Sequence, residues 1–306
     1  MKIAVIGLGR MGQAVAYRLL NAGYDVTGFD LSEQSCNDFE KMGEALAKGK
    51  PQRAATLEDV ARKNRIIWLM VPAGKPVDDT LVSLMSHLKR GDIIVDGGNS
   101  HFTDSVRRAS LCEAHGIFFV DCGTSGGVNG RENGFSLMVG GDKKAYAKIE
   151  PALRALAAPG GMGYVGPSGA GHYVKMIHNG IEYGMMQAYA EGFALIKEGS
   201  FKKENLDLAE ISRIWQHGAV IRSWLLELAH DIFKQDQELK NISGEVAQLG
   251  TGQWTVDEAQ KNKLPAPVIA IAVQTRKWSA ETGGNYMTKI IALLRNKFGA
   301  HAVKKL

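Results

Sequence analysis

Short apolar runs recur along the first half of the chain, each followed by a small-residue turn and an amphipathic stretch. Runs at 2–6, 25–30, 65–71, 92–96, 116–121, 136–139 and 162–165 have the length and branched content of buried strands. Between most of them, residues 11–21, 57–63, 76–89, 103–115 and 143–156 repeat apolar positions at helical spacing. This alternation predicts an α/β Rossmann-like, doubly wound, mostly parallel sheet, with ligands held by loops beyond the carboxyl ends of its strands.

After residue 166 the strand rhythm stops, and 205–217, 221–234, 255–262, 268–279 and 286–298 all read as helix. The expected division is a dinucleotide-binding domain, 1–165, and an all-α domain, 166–306, with the site in the cleft between them. The longest helical pattern opens at Gly169 and continues to about residue 197. In it Val174, Ile177, Ile181, Met185, Ala188 and Leu195 form one apolar stripe, expected to face the core. Beside it, Lys175, His178, Asn179, Glu182 and Tyr183 stand at i, i+3, i+4, i+7 and i+8, which stacks a base and an acid along one wall. The alternative is an ordinary solvated face. The mixture of donors and acceptors, the glycine-rich entry at 166–171 and the loop described next favour catalysis.

That loop is Gly7-Leu8-Gly9-Arg10-Met11-Gly12, between the first strand and the first helix, the context a dinucleotide-binding turn requires. Asp30 ends the second strand eighteen residues beyond Gly12, near the spacing at which a carboxylate meets the adenosine ribose hydroxyls. A 2′-phosphate would be repelled there, and Leu31 and Ser32 offer no Arg to receive it, so NAD is expected over NADP. The alternatives are a turn or helix-capping role for Asp30, and a phosphate contact from Arg10. The loops Val71-Pro72-Ala73-Gly74, Asp96-Gly-Gly-Asn99-Ser100-His101 and Cys122-Gly-Thr-Ser125-Gly126-Gly127-Val128 are rich in small residues, so their backbone can approach substrate or nicotinamide closely.

Composition narrows the classes without choosing among enzymes. With 45% hydrophobic and 23% charged residues over 306 positions, the chain has the makings of a sizeable core. The formal charge of +5 is spread among acids, which argues against a nucleic-acid partner and suits small anionic substrates. Cys36, Cys112 and Cys122 are odd in number and lack a metal-binding pattern, so they read as reduced thiols, with no metal expected and the cytoplasm as the default location. Neither a signal peptide nor a membrane segment is apparent.

Together these residues resemble the 6-phosphogluconate dehydrogenases, in particular the short, NAD-preferring bacterial form, over nearly the whole chain. The most specific pieces are Asp96-Gly-Gly-Asn-Ser100, Ser125-Gly-Gly127, residues 169–183, Gly250-Thr-Gly-Gln-Trp254 and Phe298-Gly-Ala-His301. The wider 3-hydroxyacid dehydrogenase family shares the glycine loop, a Ser-Gly-Gly loop and a Lys with Asn four residues later, so a non-decarboxylating enzyme of that superfamily is the alternative. A nucleotide-binding protein without catalysis is a further one, against which Lys175, Asn179 and Glu182 speak.

The resemblance implies oxidation of C3 of 6-phosphogluconate followed by loss of carbon dioxide, giving ribulose 5-phosphate. Lys175 would be the general base, its pKa lowered by desolvation, and Glu182, its pKa raised, the acid that protonates the product carbon, aided by Asn179 and His178. Asn99, Ser125, Gly126 and Gly127 would meet the sugar acid and the nicotinamide end. Tyr183, Arg276 and Arg295 would hold the 6-phosphate, with His301 nearby. In such enzymes a tail carrying the equivalents of Arg295 and His301 reaches a neighbouring subunit's site, which implies a homodimer or homotetramer. Three departures stand out: Leu249 where the long enzymes carry a phosphate-binding Lys, Met185 where a polar residue is usual, and Asp30 in place of an NADP-reading Asn-Arg-Thr run.

Overall fold

Strict two-residue alternation explains the sheet at the heart of the first unit. Ile3 and Val5 enter one apolar cluster with Leu19, Phe39, Trp68 and Val95. Ala4 and Ile6, on the other face, join Ile67, Leu69, Ile94 and Phe119. A strand buried on both sides needs helices on both sides, which the sequence supplies. The computed structural model describes residues 2–46, 48–247 and 250–306. In chain order the first unit contains β1 (Lys2–Ile6), α1 (Arg10–Asn21), β2 (Asp25–Phe29), α2 (Glu33–Glu44), β3 (Pro51–Arg53), α3 (Leu57–Lys63), β4 (Ile66–Leu69), α4 (Lys75–Met85), β5 (Ile93–Asp96) and α5 (Phe102–Ala114). These are followed by β6 (Phe118–Ser125), α6 (Gly130–Asn133), β7 (Phe135–Gly141), α7 (Lys143–Leu156) and β8 (Ala157–Gly166).

Among the described residues these strands form one eight-stranded sheet, ordered β3-β2-β1-β4-β5-β6-β7-β8. Every neighbouring pair is parallel except β6 and β7. The winding reverses between β1 and β4, and ligands of such sheets sit at that reversal. Two strands are longer than the apolar runs suggest. β6 continues through Cys122-Gly-Thr-Ser125, which we expected to be loop, because these small residues pair antiparallel with β7. β8 begins at Ala157, which pairs with Phe135 before a register shift carries the pairing on from Met162, and the intervening Pro159, Gly160 and Gly161 have no apolar rhythm to mark them. The short edge strand β3 and the polar helix α2, anchored by Phe39, also lack a sequence signal.

The chain divides into compact units Met1–Lys175 and Met176–Leu306. The long helix α8 (Ala170–Glu198) runs through that division. The second unit continues with α9 (Leu208–Trp215), α10 (Trp224–Gln235), α11 (Thr251–Lys261), α12 (Pro267–Thr282) and α13 (Tyr286–Gly299). Its core gathers Met186, Ala190 and Phe193 of α8 with Leu226, Ile232, Phe233, Val273, Ile290 and Leu294. Several starts move by a few residues from the sequence expectation because caps decide them. Asp207 accepts from the Ala209 and Glu210 amides and opens α9, while Gly250, with φ +82°, turns the chain into α11. No helix among the described residues is long and apolar enough to cross a membrane.

Candidate active site

Three glycines after β1 have three different reasons to be glycine. Gly7 has φ +92°, and a Cβ there would lie 2.6 Å from the Met70 carbonyl oxygen. A Cβ on Gly12 would come within 1.7 Å of the Gly7 oxygen, whereas one on Gly9 meets nothing within 4 Å. The first makes the turn, the last lets α1 pack against β1, and the middle one leaves an open approach to the amides at the α1 N-terminus. Beside this turn lies a cavity of about 940 Å³ whose wall includes Gly7, Gly9, Met11, Asp30, Val71, Pro72 and Asn99. Leu31, Leu57 and Pro76 add apolar surface. Leu8, Arg10 and Gly12 complete the loop without forming part of that wall. The cradle therefore fits a dinucleotide, with a pyrophosphate at Gly9 and a carboxylate at the far end.

Asp30 performs the turn role as well as lining the cavity. Its Oδ2 accepts from the Leu8 amide at 2.6 Å, and its Oδ1 from the Ser32 amide at 2.8 Å. One carboxylate thus fixes the glycine loop and still has lone pairs for ribose hydroxyls. Arg108, which the sequence reading did not single out, ties two further walls together. Fully buried, it donates to Asp78 at 2.8 Å, the Gly74 carbonyl at 3.0 Å and Ser100 at 3.1 Å, and its Nη1 lies 3.4 Å from Asp96. Asp96 in turn accepts from Ser100 Oγ at 2.7 Å and from the Gly98 amide at 3.1 Å. The place of Arg108 on the buried stripe of α5, with Ser105 and Cys112, was the available clue.

On α8 the polar wall and the apolar stripe change places with respect to burial. Lys175 and Asn179 are each 8% exposed and Tyr183 is 6% exposed, while His178 and Glu182 are half-buried. The expected core stripe is the outer one: Val174, Ile181, Met185 and Leu195 are exposed, the last at 72%. At about 100° per residue the two sets are neighbouring faces whose centres lie roughly 130° apart, with His178 at the seam next to Met185. The chain's own core takes Met176, Met186, Ala190 and Phe193, on the side that also carries the chemistry. Periodicity alone does not say which of two apolar stripes the chain covers. His178 Nδ1 lies 3.9 Å from Glu182 Oε2 and 3.4 Å from Asn179 Oδ1. Gly123 of β6 makes room for Lys175, since a Cβ there would be 2.5 Å from the lysine's own Cβ. Ser125 ends β6, and Gly126 and Gly127 follow with φ +127° and +55°.

The second unit brings Tyr183, Arg276 and Arg295 together. The Arg276 guanidinium stacks 3.2 Å above the Tyr183 ring, and Gly252 permits this, because a Cβ there would be 2.4 Å from that ring. Arg276 is 1% exposed, and both its Nη atoms are buried without a hydrogen-bond partner. Burial pushes its pKa down to about 10, and Arg295 is lowered too, again mainly by burial. Buried guanidinium donors without a protein acceptor suit an anion. Arg295 belongs to α13 beside its own chain's Tyr183 and Glu182 rather than to the tail proper. His301 follows α13 edge-on to Phe298, and the end of the tail is tied back to its own chain where Ser243 N donates to the Lys304 carbonyl at 2.9 Å. Leu249 lies outside the described residues. Cys122 is buried in β6, its thiol pushed up to about 12 by burial, as is that of Cys112.

A family model described as the NAD binding domain of 6-phosphogluconate dehydrogenase matches residues 2–177, and one described as 6-phosphogluconate dehydrogenase, C-terminal domain, matches residues 171–305. A Haloferax volcanii protein named 6-phosphogluconate dehydrogenase, NAD(+)-dependent, decarboxylating, is 46% identical over 307 residues, covering 100% of this chain and 99% of its own. A Plasmodium falciparum 6-phosphogluconate dehydrogenase structure, studied apo, with NADP+ and with 6-phosphogluconate, superposes with a TM-score of 0.82 at 28% identity. That match covers 92% of this chain and 62% of the other. A 3-hydroxyisobutyrate dehydrogenase from Mycobacterium tuberculosis, 22% identical with a TM-score of 0.74 over 95% of this chain and 98% of its own, shares the fold.

Proposed function

The chain belongs to the 6-phosphogluconate dehydrogenase family, and from that premise we propose that it converts 6-phospho-D-gluconate to D-ribulose 5-phosphate and carbon dioxide while reducing NAD, with NADP the weaker cofactor. The observation that carries the substrate assignment is the buried Arg276, stacked on Tyr183 beside Arg295 with unpartnered Nη donors. A phosphate satisfies both donors at once, and 6-phosphogluconate carries it in addition to the carboxylate that leaves, whereas 3-hydroxyisobutyrate has a single carboxylate for the whole site. The NAD preference is supported by Asp30 on the cavity wall and by Glu33 in the first turn of α2, which holds Arg53 in a bidentate pair.

Lys175 takes the C3 hydroxyl proton as that carbon is oxidised. The nicotinamide, when bound, accepts the hydride from C3. The resulting ketone is beta to the carboxylate, so the bond to C1 breaks with its electron pair delocalised into an enediolate. Lys175 returns its proton to the C3 oxygen, which Asn179 and His178 hydrogen-bond. Glu182 then protonates the carbon that becomes C1 of ribulose 5-phosphate, while Asn99, Ser125, Gly126 and Gly127 orient the sugar acid. As that carbon is protonated, the enediol hydroxyl on the former C3 gives its proton back to Lys175 and becomes the ketone of ribulose 5-phosphate, so Lys175 ends as the ammonium and Glu182 as the carboxylate.

The working enzyme is a homodimer or homotetramer in the cytoplasm. The exposed stripe on α8 supports assembly, and the three free, buried thiols suit a reducing compartment. Arg295 serves its own chain's phosphate site, so the residue offered to a neighbouring copy is narrowed to His301. The deciding experiment supplies C1-labelled 6-phosphogluconate with NAD or NADP as the sole oxidant and follows absorbance and trapped label together. Faster reduction of NAD with matching release of labelled carbon dioxide is expected. Reduction without label release would give the plain dehydrogenase instead.

A further inference from the structure

Asp121 is a carboxylate with no access to solvent, inside a strand. Two backbone amides meet its charge. Oδ1 accepts from the Gly169 amide at 2.7 Å and Oδ2 from the His172 amide at 2.9 Å, both at the start of α8. A helix N-terminus presents such amides unpaired and carries partial positive charge, so a buried carboxylate there is held by charge-assisted bonds. Lys175 follows His172 by one turn of the same helix.

Steric contacts fix the same segment in a second way. A Cβ on Gly171 would lie 2.4 Å from the Asp121 carbonyl oxygen and 2.5 Å from that of Met138. One on Gly140 would lie 2.6 Å from the Gly171 amide nitrogen, and Gly123 abuts Lys175. The helix start is thus in backbone contact with β6 and β7, and Asp121 supplies the two directional bonds that set its rotation and height. Four residues further along β6 is Ser125, at the head of the Ser-Gly-Gly turn.

We infer that Asp121 is a positioning residue, which sets Lys175 relative to the Ser125–Gly127 turn by binding the Gly169 and His172 amides. This rests on the reading of Lys175 as the general base. A carboxamide at 121 can accept from only one of the two amides and turns an N–H toward the other, so the helix start must shift.

Asp121→Asn should keep the NAD dissociation constant within about 2-fold, lower kcat by at least about 10-fold, and move the pH midpoint of kcat, because the base changes surroundings. A merely structural role would reduce the fraction of NAD-binding protein and leave the midpoint and the kcat per bound site untouched, and that result overturns the proposal. If the variant does not fold, hydrogen exchange of the unmodified protein decides. The Gly169 and His172 amides should exchange as slowly as mid-helix amides, and exchange at the rate of open N-terminal amides overturns the assignment. Exchange is independent of the reaction, so protected amides in an enzyme whose Lys175→Met variant stays active would sink the base assignment and leave the Asp121 contacts standing.

Discussion

At the scale of single residues, burial bears on two groups, the Lys175 amine and the Arg276 guanidinium. Lys175 is an amine at 8% exposure, placed by Gly123 and the start of α8. Lys175→Met should keep NAD binding and lose oxidation by at least about two orders of magnitude, the scale of a positioned base. Retained turnover in stopped-flow absorbance would remove it from the mechanism. Arg276 is the pH-sensitive member of the proposed phosphate site. Burial lowers its pKa to about 10, so the cation that binds phosphate is present below that pH and is lost as pH rises through it. Inorganic phosphate, tested as a competitive inhibitor, should weaken as pH passes about 10, and Arg276→Ala should raise the KM for 6-phosphogluconate by roughly 10- to 100-fold with a smaller effect on kcat. A flat phosphate profile across that range would move the anion elsewhere.

At the scale of elements, the turn from β1 into α1 separates what folds the chain from what binds cofactor. Gly12→Ala pushes a methyl group into the Gly7 carbonyl, so thermal unfolding should show a clear loss of stability. Gly9→Ala meets no protein atom, so its melting temperature should match the parent while calorimetry shows NAD binding about 10-fold weaker. Equal losses of both properties would deny the loop its proposed division of labour. Asp30→Ala should lower the NAD-to-NADP selectivity and also cost NAD affinity, because the same carboxylate holds the Leu8 amide. The glycine loop and most strands were legible because turn chemistry and apolar period are local. α2 was not, since among its described residues the apolar side chains turned toward the core are Cys36, Phe39 and Met42, and β8 was only partly so, since its register shifts between Ala157 and Met162. The polar wall of α8 was legible as a set of residues, but not its burial, which depends on what packs against it.

At the scale of the whole molecule, α8 has a second apolar side that its own chain leaves open. Ile181 and Met185 are 54% and 38% exposed. They flank Gly184, where an added Cβ would lie 3.2 Å from Val268 of α12, and Val268 and Ile271 are themselves exposed. An apolar surface continuous across two helices is costly to leave in water, at roughly 25 cal/mol per Å², and a stable pair of subunits needs about 800 Å² from each. A second copy meeting α8 and α12 covers such a surface with like residues, as a two-fold interface requires. The double variant Ile181→Glu, Met185→Glu places four charges across that axis and should shift sedimentation from the proposed dimer or tetramer toward a 33.2 kDa monomer with unchanged far-ultraviolet circular dichroism. Because His301 is proposed to act in a neighbouring copy's site, the monomer should bind NAD normally and lose most turnover of 6-phosphogluconate. Leu111→Glu, at an exposed position on α5, should leave the assembly intact. An unchanged sedimentation coefficient in the double variant would move the interface off α8, and a fully active monomer would leave His301 without a task in any neighbouring site.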